Sequence, residues 1–436
     1  MQFIAIFSFL ALSGCSFGTI DELYSLPKAS EQYLQLEELA LLERAEGFAY
    51  SAPIAGNYRQ SILFYDLDSD GNDEALVFFR GNDQILKICI YSRFEDDDFQ
   101  LASTVEGEGT AIRRVDFADF DGDDRQEIII LWQMSADTRI MRVYSISGWN
   151  SSEILSSSDC LDFRFADMDN DGNTELIALH TIASALGSIS MYKFPDTGEP
   201  IRSDAKLSPG ITSLSRMRTG YISENTTAIF IEGMLESGSC FTDILVDRDG
   251  HLTNITAAGY SGVSSALRDE EIYSTDIDND KIMEVPSIVR LFDETGSRTG
   301  YYRLDWYDYD IHGQKELNLS TYHCYSDDWY IVLPRDWLDG LMIRREDSVS
   351  GERVVVFSIR DPLTDSFSDI LVVYKLTGDN RHDRSKQDGR FILLENFTTI
   401  YAAKVLHEGG IVRGFTENDI RENFDLIYME WNVGTL

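Results

Sequence analysis

Short apolar runs alternate with acidic, glycine-containing turns along most of the chain, and this pattern favours β-strands over helices. In the first part of the chain such runs occupy residues 62–65, 75–79, 86–91 and 99–103. A similar set of runs returns about every 50 residues through the range 58–322. Four short strands per period predict the blade of a β-propeller, because such blades bury their apolar faces only by stacking on one another. The predicted fold class is therefore mainly β.

One amphipathic helix is predicted before the repeat. Ser30 is a suitable N-cap, glutamates lie in the N-terminal half, and Gly47 can end the helix. The predicted apolar face consists of Tyr33, Leu34, Leu36, Leu41 and Leu42. We expect this face to pack on the rim or the floor of the propeller.

Residues 323–436 differ in character from the repeat, since they lack its acidic turns. Strand-like runs lie at 329–333, 354–357, 370–374 and 400–403. A predicted helix follows, capped by Thr416 with Asp419 three positions on, and runs from Ile420 to Phe424. These features predict a small α+β domain; the alternative is two degenerate blades that complete a seven-bladed ring.

A nine-residue string recurs four times within the repeat, each time next to strand-like runs. Every copy has aspartate at positions 1, 3 and 5 and glutamate at position 9. The copies begin at Asp66, Asp119, Asp167 and Asp276, so they are 53, 48 and 109 residues apart. Since the last interval is close to two periods, we expect one further blade near Gly220 that has kept its strands and lost its acids.

This spacing of acids is typical of a calcium loop. Calcium takes about six to eight oxygen ligands, and a tight turn brings alternating side chains to the same side. Glycine at position 6 allows the sharp turn, and the first and third copies have it as Gly71 and Gly172. The other two copies have Asp124 and Lys281 there, so we expect these residues to adopt a backbone conformation that their side chains disfavour.

With strands on both sides of each string, residues 58 to about 322 resemble the FG-GAP/VCBS repeat family, the calcium-binding propeller blades also found in the integrin α-subunit head. The resemblance implies FG-GAP-type blades and up to four structural Ca²⁺ ions. It also implies that positions 1, 3, 5 and 9 bind through their side chains and position 7 through its backbone carbonyl. The implied ligands are Asp66, Asp68, Asp70, Asn72 and Glu74; Asp119, Asp121, Asp123, Arg125 and Glu127; Asp167, Asp169, Asp171, Asn173 and Glu175; and Asp276, Asp278, Asp280, Ile282 and Glu284.

The charge of the chain excludes one class of partner. It has 75 acidic and 37 basic side chains and a net charge of −38, which repels the phosphate backbone of nucleic acids. The six histidines form no HExxH motif, and no GxSxG elbow, P-loop or dinucleotide-binding glycine fingerprint is present. The sequence therefore predicts no catalytic residues.

The first 15 residues have the pattern of a signal peptide. An apolar segment ends in Leu12-Ser13-Gly14-Cys15, which resembles the lipobox of bacterial lipoproteins, although the start of the chain lacks the usual basic residues. We expect lipid attachment at Cys15, a tether and the helix over 16–57, and an extracytoplasmic location at the cell surface. The alternative is an ordinary apolar N-terminus. The other cysteines are Cys89, Cys160, Cys240 and Cys324. They show neither the spacing of a zinc site nor the density of a disulfide scaffold.

Together these features predict a calcium-stabilised, membrane-anchored extracytoplasmic binding or scaffold protein with a protein or glycan ligand. The alternative function is an exported carbohydrate-active enzyme, a glycan hydrolase or lyase on a propeller scaffold. Turnover of a glycan that depends on one acid outside the four strings would favour the enzyme.

Overall fold

The computed structural model describes residues 31–82, 85–93, 98–147, 150–180, 187–195, 198–361, 363–406 and 415–427. The predicted signal peptide, Cys15 and the first part of the predicted tether lie outside these ranges. Within them the chain is mainly β, and its strands form antiparallel sheets of four or five strands that follow one another in chain order. None of the helices in these ranges is both long enough and apolar enough to cross a membrane.

The first half of the chain forms one helix and three sheets. Helix α1 spans Glu31–Ala45. Sheet 1 contains β1 (Ala49–Tyr50), β2 (Ile62–Tyr65), β3 (Glu74–Arg80), β4 (Ile85–Arg93) and β5 (Phe99–Glu108). Sheet 2 contains β6 (Ala111–Ala118), β7 (Glu127–Gln133), β8 (Arg139–Ser147) and β9 (Asn150–Ser158). Sheet 3 contains β10 (Cys160–Ala166), β11 (Glu175–His180), β12 (Ser188–Lys193) and β13 (Ile201–Lys206).

Sheet 4 and a small ribbon come next. Sheet 4 contains β14 (Ile211–Ser223), β15 (Thr226–Leu235), β16 (Cys240–Arg248) and β17 (His251–Asn254). A separate ribbon is formed by β18 (Ala257–Ala258) and β19 (Val263–Ser264). The short strand β20 (Leu267–Arg268) then returns to pair with β16 of sheet 4.

Sheets 5 and 6 complete the described chain. Sheet 5 contains β21 (Val285–Phe292), β22 (Arg298–Tyr309), β23 (Lys315–Cys324) and β24 (Trp329–Leu333). A 3₁₀ helix spans Arg335–Trp337. Sheet 6 contains β25 (Leu341–Arg345), β26 (Glu352–Arg360), β27 (Phe367–Thr377), β28 (Phe391–Glu395) and β29 (Thr399–Val405), with α2 (Arg381–Arg384) before β28. Helix α3 (Glu417–Glu422) leads into β30 (Phe424–Leu426), which pairs with β24 of sheet 5.

Neighbouring sheets stack through the second strand of each. In β7, Ile128, Ile130 and Trp132 belong to an apolar core shared with sheet 1, whereas Ile129 and Leu131 belong to the next core, shared with sheet 3. Because successive side chains of a strand point to opposite faces, one continuous apolar run supplies both cores. Each such side chain contributes about 1.5–3 kcal/mol when fully buried. Shared cores continue through sheets 3, 4, 5 and 6, and this stacking of antiparallel sheets is β-propeller-like.

Helix α1 covers the face of sheet 1 that sheet 2 leaves free. Leu36 and Ala40 are fully buried against this face, together with Val77 and Phe79 of β3. The predicted apolar face is corrected here, because Leu34, Leu41 and Leu42 are 54–67% exposed. The helix packs through the narrower stripe formed by residues four apart in sequence.

The C-terminal region continues the succession of sheets. The predicted boundary between residues 322 and 323 lies inside β23, and β24 after it belongs to the same sheet. Thr416 and Asp419 form the predicted capping box, but the helix ends at Glu422 and Phe424 begins β30. The described residues therefore form six large sheets, one fewer than the seven-bladed alternative.

The four cysteines in the described ranges are buried and unpaired. Cys160 packs in the core between sheets 2 and 3, and Cys324 in the core between sheets 5 and 6. They act as small core side chains, as their spacing indicated.

Gly233→Ala is expected to destabilise the protein by about 1–3 kcal/mol, because β15 passes very close to β14 at this position. A Cβ atom on Gly233 would lie 2.1 Å from the carbonyl oxygen of Ser213, which is backbone and cannot move aside. The pairing of β14 with β15 shifts register next to this contact. The matched control is Gly300→Ala, since a Cβ there has nothing within 4 Å. Urea denaturation should show a lower midpoint for the first variant only; equal midpoints would show that the strands have room.

Candidate metal centres

Three acidic strings connect two paired strands, β2 to β3, β6 to β7 and β10 to β11, and the fourth leads from an isolated bridge at Thr275 into β21. We call these segments loop 1 (66–74), loop 2 (119–127), loop 3 (167–175) and loop 4 (276–284). The residue before position 1 pairs with the glutamate at position 9, so each loop is closed at its base by β pairing. These pairs are Tyr65 with Glu74, Ala118 with Glu127, Ala166 with Glu175, and Thr275 with Glu284.

The same three hydrogen bonds fold all four loops. The position 9 glutamate accepts the backbone N–H of position 2 at 2.7–3.1 Å. The position 1 aspartate accepts the N–H of position 6 at 3.0–3.1 Å. The position 5 aspartate accepts the N–H of position 7 at 2.7–2.9 Å. Short acceptor side chains at alternating positions therefore wind the backbone around one centre.

The backbone of each loop is left-handed at two positions, 4 and 6. At position 6, φ is +89° for Gly71 and +95° for Gly172, and it is also positive for Asp124 (+65°) and Lys281 (+79°). The expectation that these two residues adopt a disfavoured conformation is thus confirmed. The left-handed residues at position 4 were not anticipated and are Ser69, Gly122, Asn170 and Asn279. Asn and Gly tolerate this conformation best, so loops 2, 3 and 4 each place one of them there.

Carboxylate oxygens converge at the centre of every loop. The aspartates at positions 1 and 3 take part in all four clusters, and within each cluster the candidate ligand atoms lie within 4.8 Å of one another. The third member is position 5 in loop 1 and position 9 in the other loops. The four clusters are Asp66, Asp68 and Asp70; Asp119, Asp121 and Glu127; Asp167, Asp169 and Glu175; and Asp276, Asp278 and Glu284. Clusters of this kind can hold a metal ion.

The remaining predicted ligands are not members of these four clusters. The side chains of Glu74, Asp123, Asp171 and Asp280 lie outside the clusters. The residues predicted to offer a carbonyl at position 7 each donate their N–H to the aspartate two positions earlier; they are Asn72, Arg125, Asn173 and Ile282.

Two features of the clusters favour a cation. The Oδ1 atoms of Asp66, Asp68 and Asp121 are buried and have no hydrogen-bond partner within the described structure. Burial also raises the pKa of each position 9 glutamate, to about 7 in loops 1, 2 and 3 and to about 8 for Glu284. Because desolvation disfavours the charged carboxylates, a bound cation would relieve both costs.

Comparisons with known proteins add little to this geometry. No protein-family model and no curated protein matches the chain. Among solved structures, it is similar to Sqt1 of Saccharomyces cerevisiae (11% identity, TM-score 0.32), over 70% of this chain and 83% of that one. It is also similar to the periplasmic gluconolactonase PpgL of Pseudomonas aeruginosa (11%, 0.29), over 72% and 85%. A third is the endo-arabinase of Bacteroides thetaiotaomicron (11%, 0.23), over 74% and 96%. Similarities at this level carry no information about activity or ligand.

The loops lie next to one another along one end of the stacked sheets. Gln126 of loop 2 donates its N–H to the carbonyl of Leu67 in loop 1 at 2.9 Å. The side chain of Asn170 in loop 3 donates to Asn225 at 2.8 Å. Asn225 belongs to the tight turn between β14 and β15, which replaces the acidic loop in sheet 4 as expected near Gly220. Each loop therefore braces its neighbour as well as its own strands.

The sequence did not predict that a residue of the neighbouring strand faces the glutamate at position 9 of each loop. A tyrosine on the strand after each loop's own strand pairs with the residue after each closing glutamate. The residue that follows the tyrosine is therefore placed toward the glutamate, because the two strands are antiparallel. These tyrosines, Tyr91, Tyr144, Tyr192 and Tyr307, stand 17 residues after the glutamate in three copies and 23 in the fourth. The spacing shared by three copies was the available signal.

These facing residues make the clusters unequal. In loop 1, Ser92 donates to Glu74 at 3.0 Å. In loop 3 the facing residue is Lys193, whose ammonium pairs with Asp169 and, at 2.7 Å, with the buried Asp247 of sheet 4. Loop 3 thus has a cation of its own beside one cluster member, which competes with a metal ion for that carboxylate.

Loop 4 gains a further acid instead. Asp308 faces Glu284, and burial together with the loop aspartates raises the pKa of Asp308. Asn318 of β23 donates to Asp278 at 3.1 Å and to Glu284 at 3.3 Å. Loop 4 therefore has the most carboxylates around its centre, which offsets the charge of Lys281 at its turn.

Proposed function

We propose that this chain is a calcium-stabilised binding or scaffold protein with FG-GAP/VCBS-type blades, held outside the cell membrane by a lipid on Cys15. The observation that carries the proposal is the repeated loop geometry. Four loops share the same hydrogen bonds and the same left-handed positions, and each gathers carboxylate oxygens at one centre. One such loop is an ordinary acidic turn. Four loops of the same geometry support metal binding, as do the buried oxygens in loops 1 and 2 that lack a partner among the described residues.

Calcium fits these clusters better than magnesium. The donors are carboxylates on a flexible turn, which calcium accepts in irregular arrangements, whereas magnesium prefers octahedral coordination and retains several waters. The aspartates at positions 1 and 3 would hold the ion in every loop, with position 5 or position 9 as the next ligand. The ion would supply positive charge that neutralises the crowded carboxylates.

The role of the ions is structural. Loops 1, 2 and 3 each join two paired strands of one sheet, and loop 4 leads into the first strand of sheet 5, so a bound ion would fix the turn from which a packed strand begins. Sheet 4 has kept its strands without a loop, which is expected if each ion braces one blade and none is a shared catalytic centre.

Isothermal titration of chelator-stripped protein tests the calcium assignment. We expect more than one and up to four calcium ions per chain, with magnesium at least about tenfold weaker at the same sites. Injection of calcium into the same buffer without protein is the control for dilution heat. Absence of calcium binding at millimolar concentration would contradict the proposal.

The membrane anchor rests on the segment Leu12–Cys15 alone. If Cys15 is lipidated after cleavage, mass spectrometry of the mature protein should find an N-terminal cysteine with attached acyl chains. An unmodified residue at the mature N-terminus would contradict the anchor and leave the calcium assignment unaffected.

A further inference from the structure

A basic cavity lies where sheets 2 and 3 meet the segment 55–59, away from the loops. It has a volume of about 630 Å³ and is lined by this segment and by residues of β6, β7, β8, β10 and β14. Its charged lining residues are Arg59, Arg113, Arg114, Arg139, Arg164 and Asp162. A protein of net charge −38 here gathers five arginines around one carboxylate. At about 3.3 Å per residue, Arg114 is roughly 16 Å along β6 from Asp119, so the cavity is separate from the metal clusters.

Two of these arginines are already neutralised within the protein. Arg114 pairs with Asp116 and, at 2.7 Å, with Asp162, and its guanidinium lies over the ring of Phe163. Arg164 binds the other oxygen of Asp162 at 2.6 Å. The single lining carboxylate is therefore fully engaged.

The other three arginines have no carboxylate within ion-pair distance among the described side chains. Arg59 donates to the carbonyl of Gly56, and Arg139 donates to the carbonyl of Leu161 at 2.7 Å. The Nε of Arg139 is buried and has no hydrogen-bond partner in the described part of the chain. Burial and the neighbouring charge of Arg113 lower the pKa of Arg139. Burying the charged guanidinium of Arg139 next to Arg113 thus costs free energy, and an anion bound in the cavity would offset this cost.

The backbone holds this basic wall in place. Ala55 donates its N–H to the carbonyl of Arg113 at 2.7 Å, so the segment before β2 is fixed on β6 of the next sheet. Gly56 has φ of +80°, and a Cβ there would lie 2.8 Å from Cγ of Arg114. Only glycine lets the segment pass this close to the arginine. The cavity is therefore formed before any ligand arrives.

We propose that this cavity binds a small organic anion through a carboxylate or phosphate group, with Arg113 and Arg139 as its main contacts. Guanidinium groups match the planar oxygens of such groups and stay charged when partly buried. The volume suits a small molecule, and the negative charge of the whole protein disfavours long polyanions. The inference rests on the proposed binding function and names its ligand class.

Calorimetric titration tests the inference. Calcium-loaded protein is titrated at constant ionic strength with sodium glucuronate, with sodium glycerol phosphate and with uncharged glucose. We expect saturable binding of at least one anion and none of glucose. The better anion decides between carboxylate and phosphate. Arg113→Gln combined with Arg139→Gln should weaken binding at least tenfold. The control Arg202→Gln alters an exposed arginine of sheet 3 that pairs with Asp204, and it should bind as the wild type does.

Either of two results would overturn the inference: no saturable binding of either anion at millimolar concentration, or unchanged affinity in the double variant. Without ligand, the double variant should melt at or above the temperature of the wild type, because two repelling charges are removed. A lower melting temperature would assign the arginines to the folded core and also overturn it. Calcium is present in every anion titration. A negative result for the anions therefore does not bear on whether the loops bind calcium, which the separate calcium titration tests.

Discussion

Glu232→Ala is expected to lower the free energy of unfolding by about 3–5 kcal/mol, because it leaves buried arginines without their carboxylate. Glu232 is fully buried in β15 and binds Arg268 at 3.0 Å, while Arg216 lies 3.9 Å from its other oxygen. The same carboxylate accepts hydrogen bonds from the hydroxyl of Thr242 at 2.7 Å and the N–H of Ser274 at 2.8 Å. Urea denaturation measures the loss.

Two variants control this result. Glu236→Ala removes an exposed acid from the same region of the chain and should change stability by less than about 0.5 kcal/mol. Glu232→Gln keeps the shape and the acceptor oxygen but removes the charge, so its effect should be intermediate. If Glu232→Ala were no more destabilising than Glu236→Ala, the buried network would contribute nothing to stability.

This network shows how sheet 4 differs from the sheets with loops. Sheet 4 has no acidic loop, and its buried Glu232 is neutralised by arginines of the chain itself. In loops 1 and 2, buried aspartate oxygens find no such partner within the described structure. A cation from solution would supply the missing positive charge, and that is the physical basis of the calcium proposal.

Asp68→Asn is expected to remove most of the stability that calcium gives loop 1. An ion at a concentration 100-fold above its dissociation constant adds about 2.7 kcal/mol, and the variant forfeits this because one cluster carboxylate becomes neutral. The melting temperature in millimolar calcium should therefore fall by several degrees. In excess EDTA it should be unchanged or slightly higher, since burial and Asp70 disfavour the charged form of Asp68 and raise its pKa.

The matched control is Glu224→Gln. This exposed acid lies in the tight turn of sheet 4, at the place that a loop occupies in the other blades. Its removal should leave the melting temperature unchanged with and without calcium. If Asp68→Asn lowered the melting temperature equally in calcium and in EDTA, Asp68 would stabilise the loop without a metal ion.

Local patterns predicted the strands and the loops well. In loops 1 to 3 the acids at positions 1, 3, 5 and 9 directly follow one strand and lead into the next, and in loop 4 they follow a single bridge at Thr275 and lead into β21. A nine-residue window therefore contains the whole turn. The same window showed that Asp124 and Lys281 must be left-handed. The tight turn near Gly220 was predictable because the strands on both sides remained in the sequence.

Features that depend on pairing across a sheet were not predictable. Lys193 and Asp308 reach their loops only because β12 has a defined register against β11, and β22 against β21. One sequence does not reveal such a register. The basic cavity needs arginines from two different sheets, brought together by stacking. The apolar face of α1 was misassigned because its leucines spread around the helix, and only packing selects the buried stripe.

The most direct measurement is the melting temperature of the wild-type protein in millimolar calcium and in excess EDTA. We expect a clearly higher melting temperature in calcium, with the difference abolished by adding calcium back to excess over the chelator. Magnesium at the same concentration should restore much less of it. Equal melting temperatures in calcium and in EDTA would contradict the structural role of calcium in this protein.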